Sequence, residues 1–534
     1  MTRTMLLAGA ALSGLAFVST TSPILAQTPP DQLVIALNMS SMRGLDPQEL
    51  NQFEAAEVVA NLYDRLVTLP ADDITQVEPM LATEWDVSED GRTFTFTLRE
   101  GVTFHSGNPL TARDAEYSLR RLVKMGLAPA RDLTQWGLTA DNVDQMIRAE
   151  DDTTLIVELP EVWNSQLVLY SLASFSASIV DSELVEENAR DGDYGTSFLQ
   201  TSDAGSGPYT LRTWRANDIL IAEAFDDYWD GAPAMRRVLM RNVPESSSQR
   251  LQIQAGDIDI ATRLSSSDLQ ALAANEDVTI QTTPGVGFYY IALNQQNEIL
   301  ANPQVREAFR YLVDYEGLSN TVMQYYGDVQ QTIVPQGMPG ALPDERPYSL
   351  DPDRARELIA EAGYPDGFSL TYYATPVTPE YEIAQSIQAN AAEAGITLNL
   401  QSGDHIGAFR SRDYELFSAR TGDRMPDPHA VFASYAVNPD NSQEANSSGL
   451  MAWRAAWDVP LEMQNLVEEA AHELDADRRA EIYTELNRMY LESSPPLITS
   501  FQRTDARAIR AEVQGYQGST TWITSWDEVT KSEN

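Results

Sequence analysis

The segment Leu81–Arg121, LATEWDVSEDGRTFTFTLREGVTFHSGNPLTARDAEYSLRR, constrains this chain more than any other, because strand, turn and helix signals follow one another without a gap. Phe94, Phe96 and Leu98 alternate with Thr93, Thr95 and Thr97, the period-two pattern of a half-buried strand. Asp90-Gly91 opens that strand as a turn. Thr111, with Asp114 three residues on, predicts a capping box; Ala115, Leu119, Leu122 and Val123 then share one helical face. The segment reads as strand, second short strand, loop, helix.

At the N-terminus, Arg3 precedes an apolar run from Met5 to Val18, followed by Ile24-Leu25-Ala26. This is the pattern of a secretory signal peptide cut after Ala26; its apolar core falls short of the ~20 residues that span a bilayer. The chain has no cysteine, which excludes disulfides, thiolate metal sites and cysteine nucleophiles, and with them a lipid-bearing cysteine after the signal. A soluble protein of the Gram-negative periplasm is expected. With 36 basic against 79 acidic residues the net charge is −43, a surface that repels nucleic acid and anionic lipid. Only Lys124 and Lys531 are lysines, and neither follows a glycine, so no GK[ST] phosphate loop exists. At 534 residues, two or three domains are expected.

From Leu81 onward the sequence closely resembles the block W-x-x-S-x-D-G-x-x-x-x-F-x-L-R-x-G-V-x-F-H-x-G-x-P-L-T-A-x-D of the periplasmic dipeptide- and oligopeptide-binding proteins of ABC importers, solute-binding protein family 5, cluster C. Gly44–Pro47, Asn61–Leu66, Gly205–Tyr209, Phe225–Pro233 and Gln254–Ile260 also look like landmarks of that family. The resemblance implies an α/β fold, a two-lobed type II binding protein of Venus-flytrap action with an extra domain in the first lobe. It divides the chain into a first-lobe core of 27–75, 205–290 and 495–534, an extra domain of 76–204, and a second lobe of 291–494. Gly287–Asn294 would cross between lobes and Leu497–Phe501 would return.

Local patterns agree with that outline. Leu33–Leu37 reads as a strand and Ala55–Leu69 as an amphipathic helix ending in strand-like residues. Helices are predicted after Asn302-Pro303, after Asp351-Pro352 up to Gly363, and over Ile383–Ala394. Strands are predicted at Ser369–Tyr373, Ile396–Leu400 and Tyr414–Ser418, and two more helices precede Pro495-Pro496, giving βαβ grammar.

The four histidines show no HExxH spacing and no GxSxG elbow occurs, so zincin and α/β-hydrolase chemistry find no support. Asp257 and Asp259 read as sheet-entry residues rather than paired catalytic acids, and His105 as a structural hydrogen bonder. No catalytic residue, metal ligand or cofactor is expected. The most informative constellation is Arg420–Pro428, RTGDRMPDP, which stands where the resembled family carries W-x-x-D ahead of D-P. By that resemblance Asp423 pairs with the α-ammonium group of a ligand, a charge-assisted contact strengthened in a water-poor cleft; a local role beside Arg424 is the alternative. Arg420 replaces the tryptophan, and the loop Ala374–Pro379 lacks the arginine with which dipeptide binders hold a carboxylate. Arg420 is therefore the candidate for the ligand's carboxylate, or else the ligand is no ordinary dipeptide. Asn294 could bond either ligand or hinge backbone, and Gln52 and Phe53 lie where relatives line the cleft.

The expected function is capture of a short peptide or related zwitterion between two lobes and delivery to an inner-membrane permease with its ATPases, by a monomer with no nucleic-acid partner. Other solutes bound within the resembled family, namely oligosaccharides, opines, nickel chelates and haem, form one alternative. A secreted hydrolase forms another.

Overall fold

The computed structural model describes residues 28–532 apart from 51, 72–73, 404, 422–424, 446, 448 and 522–523, with only the backbone at 53. The expected signal peptide and Asp423 lie outside these residues. Among the described residues eleven strands form one mixed sheet. Its order is Ile396–Ser402, Phe368–Ala374, Leu416–Arg420, Val278–Leu293, Leu497–Arg510, Ile260–Thr262, Gln32–Leu37, Arg237–Asn242, Ile219–Ala224 and Tyr209–Arg215, with Gly327–Val329 added beside Leu497–Arg510.

Val278–Leu293 and Leu497–Arg510 run antiparallel through the middle of the sheet and belong to both lobes. Val278–Pro284 pairs with Thr504–Arg510, and that end of the ladder continues into Ile260–Thr262 and Gln32–Leu37. Phe288–Ala292 pairs with Leu497–Gln502 and continues into Leu416–Arg420. The register slips between Pro284 and Phe288, so the pairing is interrupted where one lobe gives way to the other. The expected crossings Gly287–Asn294 and Leu497–Phe501 fall on these two strands apart from Asn294, just past the end of the first, and both strands are longer than the sequence pattern indicates.

Strands in the sheet are apolar on both faces because both faces are covered. Leu33, Ile35 and Leu37 enter one core with Val58, Tyr63 and Trp526. Val34 and Ala36 enter another, which continues under the second lobe through Phe309, Leu370 and Ile387. Phe288 and Tyr290 face a third core with Phe417, Phe432 and Tyr483.

The opening segment builds a separate four-stranded sheet ordered Ala82–Val87, Thr93–Leu98, Thr154–Glu158, Ile147–Ala149. Phe94, Phe96 and Leu98 are buried and the threonines between them half-buried, as period two requires. The capping box forms: Thr111 accepts from the Arg113 N–H and the Asp114 carboxylate accepts from the Thr111 N–H at 2.9 Å. The second short strand expected within this segment is reduced to one bridge, Thr103 to Pro109. This domain also rests on the second lobe: Trp163 stacks on His472 with ring centroids 4.3 Å apart, and the Asn164 N–H donates to the Ala471 carbonyl at 3.0 Å.

Candidate functional site at the lobe junction

Arg420 ends its strand opposite Tyr289 on the crossing strand, so sheet register alone carries it to the junction of the lobes. Glu380 is the first residue of helix Glu380–Glu393, which follows the Ala374–Pro379 loop. Arg420 Nε lies 3.3 Å from Glu380 Oε1, with the two side chains only 17% and 4% exposed. Glu380 Oε2 is buried and has no hydrogen-bond partner among the described residues. A buried carboxylate oxygen in that state is uncommon, because losing water without a replacement donor costs ~1–3 kcal/mol or more.

The first lobe presents a matching pair. Arg263 directly follows strand Ile260–Thr262 with a left-handed φ of 54°, and its Nη2 lies 3.0 Å from Glu54 Oε1 on helix Phe53–Leu62. The four charges couple across the cleft. Burial lowers the Arg263 pKa, and the positive charge of Arg420 lowers it further. For Arg420 burial acts in the same direction, but Glu380, Tyr289 and Glu54 outweigh it and leave the pKa raised. Burial would raise Glu54, yet Arg263, the Ser41 hydroxyl and Arg420 hold it below the usual carboxylate range. Behind this quartet Glu54, Glu57, Arg263, Arg503, Asp505 and Arg507 line a small polar pocket of about 60 Å³. Arg507 bridges Glu57 at 2.9 Å and Asp505 at 2.8 Å. Burial opposes ionisation of Asp505, but Arg507, Arg503 and Arg263 bring its pKa down to about 2. The cleft thus carries fixed charges of both signs, from both lobes. On the second-lobe side of Arg420 lies a cavity of about 310 Å³ walled by Phe288, Tyr290, Val431, Tyr435 and Met451.

The other sequence candidates fare differently. Asn294 takes the second of its two readings, the backbone of the hinge. Its side chain is 2% exposed and fully engaged, donating to the Arg412 and Tyr414 carbonyls at 2.8 Å each and accepting from the Gln296 N–H at 3.1 Å. It holds backbone at the end of the crossing strand. Gln52 lines a separate small pocket with Arg43, Asp46 and Gln200, while Glu54 and Glu57, two and five residues on, line the polar pocket behind the quartet. The Phe53 side chain and Asp423 lie outside the described residues. Sequence reasoning missed Glu54, Arg263 and Glu380, whose partners are remote in the chain, and Asp505 and Arg507, which pair two residues apart but reach the site only through the remote Glu57 and Arg263. One usable signal existed, an acidic residue opening the helix after the arginine-less loop.

Most landmark motifs serve structure. Asp64 accepts from Ser206 Oγ at 2.8 Å, Trp229 Nε1 at 3.1 Å and the Tyr228 hydroxyl at 3.2 Å, which ties Asn61–Leu66, Gly205–Tyr209 and Phe225–Pro233 into one node. Gly205 and Gly207 are needed for close approach: a Cβ at Gly205 would stand 1.8 Å from the Leu62 carbonyl oxygen, and one at Gly207 2.7 Å from that of Asn61. His105 bridges Asp203 at 2.6 Å and the Gly207 carbonyl at 2.9 Å. Asp259 accepts from the Val34 N–H at 2.7 Å and pairs with Lys531 at 2.8 Å, a pin rather than an acid catalyst. Asp427 caps the helix opened by Pro428 and pairs with the buried Arg479 at 2.7 Å. Among the described residues no cluster of three or more metal-binding side chains occurs.

Comparison with known proteins agrees with this geometry. The family model for bacterial extracellular solute-binding proteins, family 5, middle part, matches residues 76–443. The probable D,D-dipeptide-binding periplasmic protein DdpA of Escherichia coli K12 is 28% identical over 507 residues, covering 92% of each chain. Two solved structures share the fold. The dipeptide-binding protein of Pseudoalteromonas sp. SM9913 in complex with Met-Leu has a TM-score of 0.81 and 22% identity, covering 94% of this chain and all of the other. DppA of Helicobacter pylori in complex with the peptide STSA has a TM-score of 0.80 and 22% identity, covering 94% of this chain and 98% of the other. With the family model spanning more than half of its length, and two lobes joined by paired crossing strands, the chain belongs to family 5 of the bacterial extracellular solute-binding proteins.

Proposed function

We propose that the solute is a short peptide or a related zwitterion, gripped at the lobe junction. The observation that carries this reading is the pairing of Arg420 with Glu380, whose second oxygen is buried without a donor among the described residues. A ligand carboxylate suits Arg420, assisted from the other lobe by Arg263; a ligand ammonium supplies the donor that Glu380 Oε2 lacks. Asp423 is a second acceptor for the ammonium, three residues beyond Arg420 in sequence. The relatives named for dipeptides and peptides support the same class. Binding energy from both lobes would favour a closed state over an open one. The closed protein, exported to the periplasm through the N-terminal signal, would then be read by a membrane permease driven by ATPases, and the protein itself would catalyse nothing.

Small-angle scattering of the mature protein with and without Ala-Phe tests this reading. A smaller radius of gyration together with a raised melting temperature is expected. A shape and melting temperature that ignore Ala-Phe and a panel of di- and tripeptides would overturn it.

A further inference from the structure

Away from the charge quartet, the extra domain and the second lobe meet along a row of four rings. His472 and His429 come from the second lobe, Trp163 and Trp136 from the extra domain. Ring centroids are 4.3 Å apart from His472 to Trp163, 5.3 Å from Trp163 to Trp136 and 6.1 Å from Trp136 to His429. Hydrogen bonds run along the same seam. His472 Nδ1 lies 2.6 Å from the Val162 carbonyl, which can only accept, so that nitrogen carries the hydrogen. Asn164 donates its N–H to the Ala471 carbonyl at 3.0 Å and its side-chain amide to the Glu473 carbonyl at 2.8 Å. None of these residues lines the polar pocket behind the quartet or the cavity beside Arg420.

The two sides of the seam belong to different bodies. Buried bonds fix the extra domain to the first-lobe core: Arg121 holds both carboxylate oxygens of Asp46, at 2.9 and 2.6 Å, and the Gln48 amide donates to the Ser118 carbonyl at 2.7 Å. When the lobes separate, the seam therefore has to part. His429 makes the joined seam sensitive to protons. Its Nδ1 is buried with no hydrogen-bond partner among the described residues. Burial lowers its pKa to about 4; Asp427, the cap of its own helix, opposes this, while Arg479 of the second lobe, Arg131 of the extra domain and His472 add to it. Opening carries Trp136 and Arg131 away, which readmits water and removes a positive neighbour, so the open state takes up a proton more readily than the closed one.

Resting on the reading above, that the lobes close on a peptide, we infer that this seam is a clasp: it forms as the lobes close, adds to affinity without touching the solute, and is loosened by a proton on His429. Trp163, Asn164 and His472 are thus positioning residues for capture, and mild acid favours release. The clasp's contribution is complete above the ordinary histidine value of 6.5, where the imidazole is neutral in both states, and declines as pH falls through that value toward 4.

Calorimetric titration with Ala-Phe at about pH 7.5 and about pH 5 decides the matter, using the mature wild-type protein and its His472→Ala, Trp163→Leu and His429→Gln variants. At the higher pH, His472→Ala should bind ~5- to 10-fold more weakly than wild type, the melting temperature of the free protein serving as the folding control. Trp163→Leu cuts the seam from its other side, at a half-buried position, and should weaken binding alike. Between the two pH values wild-type affinity should fall ~5-fold and that of His429→Gln by less than ~2-fold. Wild-type affinity in whichever of the two seam variants folds would overturn the clasp and leave peptide capture standing. So would a wild-type affinity equal at both pH values, or a fall that survives unchanged in His429→Gln. No heat from Ala-Phe with the wild-type protein at either pH would remove the peptide reading and the clasp with it.

Discussion

The Asp64 node and the Arg420 quartet both bury charge, and they differ in how completely that charge is satisfied and in which bodies supply it. At Asp64 both carboxylate oxygens meet donors, from Ser206, Trp229 and Tyr228, all in segments of the first lobe. In the quartet Glu54 and Arg263 belong to one lobe and Glu380 and Arg420 to the other, and Glu380 keeps one oxygen without a donor among the described residues. A saturated cluster within one body rigidifies it. A divided and unsaturated one is the arrangement in which a ligand can supply what is missing and draw two bodies together.

The largest effect that could break this contrast is on binding. Arg420→Met removes one partner of a nearly buried charge pair, and the affinity for a bound zwitterionic dipeptide should fall by ~2–5 kcal/mol, read by calorimetry. The unfolding midpoint of the free protein should move far less. If affinity is unchanged, the quartet is structural like the node.

Gly205→Ala should do the reverse. Its Cβ would collide with the Leu62 carbonyl at 1.8 Å, and the strain should cost about 3 kcal/mol in denaturant unfolding. Any folded fraction should keep its ligand affinity. A loss confined to affinity would mean that the node is part of the site.

A pH effect of somewhat smaller size sharpens the account of the node. Burial pushes the Asp64 pKa up to about 6 despite its hydrogen bonds. The folded state therefore keeps this proton to higher pH than the unfolded chain does. Stability attached to the group is fully present below the unfolded value of 3.8 and is lost as pH rises to about 6, by ~2–3 kcal/mol in all. Asp64→Asn should flatten that part of the stability profile. A wild-type profile that rises through this window by the same amount in both proteins would show Asp64 to be ionised throughout.

The smallest effect serves as the reference for surface charge. Breaking the exposed pair of Arg237 with Glu223, 2.8 Å apart, by Arg237→Gln should cost about 0.5 kcal/mol or less and leave binding untouched.

What the sequence revealed follows the same division. The Thr93–Leu98 strand and the Thr111 capping box were legible because their causes are local: a period of two, and a cap three residues from its partner. The helix expected to end in strand-like residues by Leu69 does so, as a helix to Leu62 and a strand at Val67–Thr68; where it breaks is set by Tyr63 and Asp64, drawn into distant contacts with the Ala204 N–H and with Ser206 that no local pattern records. Arg420 stood out as a departure from a familiar motif. Arg263 and Glu54 did not, since they meet only when residues more than two hundred apart are brought to one edge of the sheet. Asn294 was ambiguous for a related reason: an asparagine that ends a strand bonds backbone and ligand with the same atoms, and only the positions of the Arg412 and Tyr414 carbonyls decide between them.

The central claim is that cargo is held by its two opposite charges at the lobe junction. Calorimetric titration of the mature protein with Ala-Phe, N-acetyl-Ala-Phe and Ala-Phe-amide tests it most directly. Blocking either end should weaken binding at least tenfold, the acetyl group by depriving Glu380 of its ammonium and the amide by depriving Arg420 of its carboxylate. Equal affinity for all three, or no heat from any of them, would contradict the account.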